Sequence, residues 1–275
     1  MIEKAPSPWF PFLPGRRIRP FLFLYLPIVF FMSRSVQSAV PARPADAAVL
    51  ISADGEWESV KALFPGERYE GSPFGEFFIK EIVLPGGKAR RVAVIHGGWG
   101  KTAAAASTQY VIDRWDPRVL FNLGTCGGFE GAIERGAIIL ATKTVIYDII
   151  ERMGDADEAV RSYSTAIDLA WLKRTPPLPV VKTVLISADQ DLDPSAIPRL
   201  KTKYRAVAAD WESGAIAFVA RRNAKRLIIL RGVTDLVGPE GGEAYGRIEL
   251  FRTNTRAIMK RLFETLPAWM ELAEL

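Results

Sequence analysis

The stretch Leu227-Ile228-Ile229-Leu230-Arg231-Gly232-Val233-Thr234-Asp235-Leu236-Val237-Gly238 decides how the chain is read. Its first four residues are apolar without alternation, the pattern of a strand covered on both faces, as in a parallel sheet. Ligands of such sheets sit beyond the carboxyl ends of the strands. Arg231, Thr234 and Asp235 are therefore expected at a site just past a strand end, with Gly232 letting the backbone turn. The stretch also has a structural explanation, in which Asp235 caps a turn and Arg231 pairs with a surface carboxylate.

A second acid upstream favours the site. In Ala208-Ala209-Asp210-Trp211-Glu212-Ser213-Gly214-Ala215-Ile216-Ala217 a short apolar segment gives way to acids and then to a helical pattern. Glu212 is expected at the start of a helix running to about Arg222. Glu212 and Asp235 then follow two successive strands and can converge on one pocket. Taken alone, Glu212 is also what complements a helix dipole.

Composition narrows the chemistry. The chain has 275 residues, 49% hydrophobic and 24% charged, enough for one large globular domain or two small ones. Its net charge of +5 lies entirely in residues 1–45, where Lys4, Arg16, Arg17, Arg19, Arg34 and Arg43 face only Glu3. The neutral remainder gives no electrostatic case for binding nucleic acid. A single cysteine, Cys126, excludes an internal disulfide, and a single histidine, His96, argues against a Cys/His zinc site or a histidine triad. Chemistry must rest on carboxylates, and no cofactor is expected.

Residues 1–45 stand apart from the domain expected over 46–275. Arg16, Arg17 and Arg19 precede an apolar run from Phe21 to Met32, followed by small and polar residues to Ala42. This is the layout of a secretory signal or tether, although Pro27 interrupts the run and the lead before Arg16 is long. Translation from Met32 is the alternative, and the cytoplasm is the expected location. A membrane partner is expected only if residues 1–45 act as a tether.

In the domain, strands are expected at Ala47 to Ala53, Phe77 to Val83, Arg91 to His96, Val119 to Leu123, Ala137 to Ala141 and Thr183 to Ser187. The stretch from Met153 to Arg161 is expected as solvated surface. Tyr245 to Leu272 is expected as one or two helices with Phe251, Met259, Leu262 and Phe263 buried. Gly97-Gly98-Trp99-Gly100-Lys101-Thr102 invites two nucleotide readings. A phosphate loop needs glycine where Ile95 stands, so that reading fails. A dinucleotide fingerprint fits Gly98, Gly100 and Ala103, but it also needs an acid after the next strand, where Gly124-Thr125 stands. Gly124-Thr125-Cys126-Gly127-Gly128 is expected as a flexible elbow where backbone approaches a ligand.

The order of these pieces resembles the nucleoside phosphorylase and nucleosidase superfamily, most closely the 5′-methylthioadenosine/S-adenosylhomocysteine nucleosidases. The resemblance covers about residues 47–266. It is carried by Val94-Ile95-His96-Gly97-Gly98-Trp99-Gly100-Lys101, Asn122 to Gly128, Ser187-Ala188-Asp189, Asp210-Trp211-Glu212 and Arg231-Gly232-Val233-Thr234-Asp235. It implies a three-layer α/β/α sandwich with a mixed central β-sheet, a homodimer, a small-molecule nucleoside as ligand, and cleavage of an N-glycosidic bond through an oxocarbenium-like transition state. Asp235 is then implied as the acid at N7 of the leaving purine, Glu212 as acceptor for the ribose hydroxyls, and Trp211 as its apolar neighbour. Thr234 and Arg231 are implied as supports for the acid, and Glu56, with Glu58 as fallback, as the group positioning water. Thr125, Asp191 and Leu192 complete the implied substrate-binding set, with Asp191 standing where these nucleosidases place an aromatic residue.

Two rivals remain on the sequence: a phosphorylase on the same scaffold and a non-catalytic nucleoside-binding protein. Phosphorylases of the superfamily carry Gly-Asp-Pro-x-Arg after the first strand, where this chain has Ser52-Ala53-Asp54-Gly55-Glu56. A carboxylate about 4 Å from a phosphate charge costs on the order of 4 kcal/mol at an effective dielectric near 20. Water is therefore the expected nucleophile.

Overall fold

The computed structural model describes residues 43–275. The readings of residues 1–42, as signal, tether or upstream of the true start, lie outside the described residues. The elements are β1 (Ala47–Ile51), α1 (Asp54–Leu63), β2 (Glu70–Gly71), β3 (Glu76–Val83), β4 (Ala89–His96), α2 (Gly100–Trp115), β5 (Val119–Phe129) and β6 (Ile138–Ile146). Then come α3 (Ala156–Ser162), β7 (Ser164–Ala166), β8 (Val181–Ser187), α4 (Ile197–Tyr204), β9 (Ala206–Asp210), α5 (Ser213–Arg222), β10 (Arg226–Gly238), β11 (Gly241–Gly242) and α6 (Ile248–Leu272).

The strands form one mixed sheet in the order β11-β10-β6-β8-β9-β5-β1-β4-β3-β2, with β7 on β6. β10 also pairs with β5, so β10, β6, β8, β9 and β5 close on one another. Uninterrupted apolar runs are what a doubly covered sheet requires. On β1, Ala47, Val49 and Ile51 pack with α1 and α6, while Ala48 and Leu50 pack with α2 and α5. The α/β sandwich expected above is the observed architecture. α6 is one helix, and Met259, Leu262 and Phe263 are buried in it as expected. The surface expected around Met153 to Arg161 includes the short helix α3, with Met153 almost fully exposed.

Two expectations are corrected. β10 does not end before Arg231, and Gly232 makes no turn: the strand stays paired with β5 from Arg226 to Val237, with a slip in register only between Val233 and Asp235. Nor is Gly124 to Gly128 an elbow, since it is the second half of β5. These glycines lack the positive φ of a turn. They are small because other atoms occupy the space: a Cβ on Gly124 would collide with the Arg231 guanidinium, and one on Gly128 would stand 2.7 Å from Val233.

Gly232 sits under α6, where an added Cβ would lie within 3.0 Å of three Ile258 carbons. Gly232→Ala is expected to destabilise the fold by about 1–3 kcal/mol through overpacking. Ile258→Val in the same chain should recover part of that loss in urea unfolding, whereas a neutral Gly232→Ala would refute the packing account.

Candidate active site

The extended β10 and β5 carry their polar residues side by side. Between Val233 and Asp235 the register against β5 slips by one residue, so Thr234 is an extra residue in the strand. Such bulges re-aim side chains, and here Thr234 and Asp235 both face a cavity of about 480 Å³. The Thr234 hydroxyl lies 2.7 Å from Asp235 Oδ1 and 3.3 Å from the Cys126 carbonyl. Asn254 on α6 holds the Thr234 carbonyl at 2.7 Å. Burial is the main cause that raises the Asp235 carboxyl above its ordinary value; the Thr234 bond works against it, and Glu243 adds to the rise.

The other end of the site is a buried charge cluster. Arg231 is fully buried, with Nε donating to Asp210 Oδ2 at 2.7 Å and Nη2 to Asn122 Oδ1 at 3.0 Å. Its Nη groups also lie 3.8 Å from Glu56 and from Glu212. Nη1 has no hydrogen-bond partner. Burial opposes the Arg231 charge most strongly, yet Asp210, Glu56 and Glu212 together hold its pKa above the ordinary value.

Glu212 stands at the N-terminus of α5 without capping it. Its Oε1 instead accepts from Gly100 N–H at 3.1 Å, at the start of α2. Burial, with Asp210 and Glu56 adding to it against Arg231, pushes Glu212 up to about 8. Glu56 is buried and accepts from Thr125 N–H at 2.6 Å and the Thr125 hydroxyl at 2.8 Å. Glu58 is exposed and points elsewhere.

Most of the residues expected from the sequence meet here. Thr125, Asp191, Leu192, Trp211, Glu212, Thr234 and Asp235 all line the cavity. Glu56 lies directly behind Thr125, off the cavity surface. Arg231 is the correction: it does not touch Asp235, because the bulge turns Asp235 away while Arg231 stays in the carboxylate cluster. Phe251, expected in the buried stripe, is half-buried and lines the cavity. The reading also passed over Trp99, Tyr245, Asn122 and Asn254. Trp99 packs against Trp211 with centroids 4.5 Å apart and planes inclined by 32°, and the Tyr245 hydroxyl donates to the Leu192 carbonyl at 2.7 Å. Two bulky aromatics on glycine-flanked, polar segments were the available signal.

The glycine segment leading into α2 points its amides at carboxylates of the chain itself: Gly100 N–H at Glu212 and, at 2.8 Å, Lys101 N–H at Asp189. His96 is structural, lying 3.1 Å from the Ser52 carbonyl and stacked on Trp57. No metal-holding group of His, Cys, Asp and Glu occurs among the described residues, nor any helix long and apolar enough to cross a membrane.

The Glu212 shift has a testable sign. With its folded pKa near 8 above the ordinary 4.5, Glu212 stabilises the fold fully only below about 4.5, and that stability is lost as pH rises through 8. Glu212→Gln cannot ionise, so it is expected to melt several degrees above the parent chain at pH 9 and level with it near pH 5. Equal melting temperatures at pH 9 would contradict the shift.

A family model described as the phosphorylase superfamily matches residues 47–267. A 5′-methylthioadenosine/S-adenosylhomocysteine nucleosidase of Thermotoga maritima is 28% identical over 158 residues, covering 56% of this chain and 70% of the relative. One from Bacillus cytotoxicus is 24% identical over 167 residues, covering 56% and 72%. Among solved structures, the apo 5′-methylthioadenosine nucleosidase of Arabidopsis thaliana superposes with a TM-score of 0.64 at 23% identity, covering 82% of this chain and 96% of that one. The Neisseria meningitidis 5′-methylthioadenosine/S-adenosylhomocysteine nucleosidase, in complex with methylthio-immucillin-A, gives 0.63 at 18% identity, over 81% and 99%. The match runs from the first residue of β1 into α6 and takes in every element that builds the cavity, and on that extent this chain belongs to the phosphorylase superfamily.

Proposed function

We propose that the chain hydrolyses the N-glycosidic bond of a purine nucleoside of the 5′-methylthioadenosine/S-adenosylhomocysteine type. The observation that carries this reading is a cavity with Asp235, its carboxyl raised by burial, at one end and an excess of carboxylates over Arg231 at the other. Its curated relatives are named for the same substrates.

A purine leaves poorly as an anion, so the acid must still carry its proton near neutrality, as burial favours for Asp235. Asp235 gives that proton to N7 as the bond between N9 and C1′ breaks and its electron pair moves to the base. The ribosyl group becomes positive. Glu56, Asp210 and Glu212 surround one guanidinium, so the pocket lacks a positive charge until the transition state supplies it. The crowding that keeps Glu212 protonated in the empty site thus favours the cation. Glu212 takes the ribose hydroxyls, with Trp211 beside the sugar. Water attacks C1′, and its proton passes to Glu56 through the Thr125 hydroxyl that already donates to it.

Water is favoured over phosphate as nucleophile. Five carboxylates and no Lys, Arg or His line the cavity among the described residues. Lys101 is held by Asp148 and Asp189, and Arg91 by the Arg43 and Pro44 carbonyls. The same excess of acids argues against a silent binding protein, since binding alone needs no acid at the leaving group. We place the enzyme in the cytoplasm as a homodimer, because nucleoside salvage is an intracellular task and the superfamily resemblance implies a dimer.

Asp235→Asn is expected to lower kcat about 100-fold or more while product binding survives; near-normal turnover would remove Asp235 from the acid role. Base release by the unaltered enzyme should run at the same rate in phosphate-free buffer and yield the free sugar. Release that stops without phosphate and gives a sugar 1-phosphate when it is restored would establish the phosphorylase.

A further inference from the structure

α2 opens on a joint made by two glycines and pinned by one lysine. Gly98 and Gly100 stand at φ of 84° and 83°, conformations that only glycine adopts readily, so the backbone leading into α2 turns at little steric cost. The joint nevertheless carries a contact of the site. Gly100 N–H donates to Glu212 Oε1 at 3.1 Å, across to the start of α5. The next amide, Lys101 N–H, donates to Asp189 Oδ1 at 2.8 Å, just past the end of β8.

The Lys101 side chain ties the same joint to a third segment. Its ammonium donates to both oxygens of Asp148, just past the end of β6, and lies 3.7 Å from Asp189 Oδ2. Asp148 in turn accepts from Asp189 N–H at 3.1 Å. Asp189 also closes the space beside Gly100, where an added Cβ would stand 3.2 Å from its Oδ1. The Lys101 and Asp148 side chains are only 18% and 21% exposed, unlike the solvent-spread surface pairs that contribute little. Trp99 packs on Trp211 across this joint, but at 62% exposure much of its ring faces solvent.

Lys101 and Asp148 stand outside the cavity lining. They reach the site through one backbone amide, the one on Glu212. A carboxylate that is to accept from two hydroxyls at once has to be aimed, and a displacement of about 1 Å caused from outside the site can cost on the order of 100-fold in rate.

We propose that Lys101 is a positioning residue for the sugar: pinned by Asp148 and Asp189, it holds the Gly100 amide on Glu212, and so sets how strongly the site prefers a ribonucleoside to its 2′-deoxy counterpart. This rests on the nucleosidase reading, in which Glu212 takes the ribose hydroxyls.

The test measures kcat/KM for 5′-methylthioadenosine and its 2′-deoxy counterpart on the full chain, in Lys101→Met and, as a second way of cutting the same tie, in Asp148→Ala. Lys101→Met is expected to lose about tenfold on the ribonucleoside and less than about threefold on the deoxynucleoside, with the same split in Asp148→Ala. The two substitutions together should cost no more than the larger single loss, because they cut one contact. Equal losses on both sugars, which a merely structural lysine would give, overturn the proposal, and so does no loss. If the unaltered chain cleaves neither compound, the nucleosidase reading fails by itself, and the titration of the Glu212 carboxyl decides whether Lys101 holds the amide in place. That titration is followed by isotope-edited NMR, with the signal identified by its loss in Glu212→Gln. Gly100 N–H holds the carboxyl down against burial, while Asp210, Glu56 and Arg231 remain in place, so Lys101→Met should titrate at a higher pH. An unchanged titration overturns the proposal.

Discussion

The structure depends on keeping one guanidinium dry. An isolated buried ion costs several kcal/mol even after the protein relaxes around it. Arg231 therefore has to be surrounded, and its partners come from every element behind the cavity: Asn122 on β5, Asp210 at the end of β9, Glu212 and Ser213 at the start of α5, and Glu56 on α1. Gly124 belongs to the same constraint, since a side chain there would occupy the place of the guanidinium. Residues spread over 56–231 of the sequence are thus fixed relative to one another by a single side chain.

The cluster is deliberately out of balance. One positive charge faces three carboxylates, and burial together with Asp210 and Glu56 pushes the Glu212 carboxyl up to about 8. A buried arrangement of that kind adds little to stability. It suits a site in which positive charge appears only in passing, because preorganised negative charge is then strongest where the substrate itself changes. Asp235 is kept out of this cluster, and its carboxyl is raised chiefly by burial, with Glu243 rather than Asp210 and Glu56 adding to the rise.

That separation is made by backbone. With no slip in register at Thr234, Asp235 would share the face of Arg231 and Val233 along β10. The slip in register turns it and Thr234 together toward the cavity, and Asn254 on α6 fixes the exposed carbonyl. Asp235 and Glu212 can then line one cavity without sharing one set of neighbours.

Local sequence determined a good deal. The apolar runs at Ala47 to Ile51 and Leu227 to Leu230 specify doubly covered strands, because a half-solvated strand would alternate. The acids Glu212 and Asp235 were legible as a convergent pair, because each was expected just past such a run, whereas Glu56 entered only through the family resemblance. Three things were decided only by tertiary structure. Arg231 paired with Asp210 rather than supporting Asp235, because partner choice for a buried charge depends on which carboxylates the sheet closure brings within about 4 Å. Gly124, Gly128 and Gly232 proved to be close-packing positions rather than turns, because the same residue type serves both and only φ and the neighbouring atoms distinguish them. Trp99 and Tyr245 joined the site because α2 begins beside the start of α5 and the segment before α6 folds back on β10 and Leu192, a proximity that no pattern within either segment encodes.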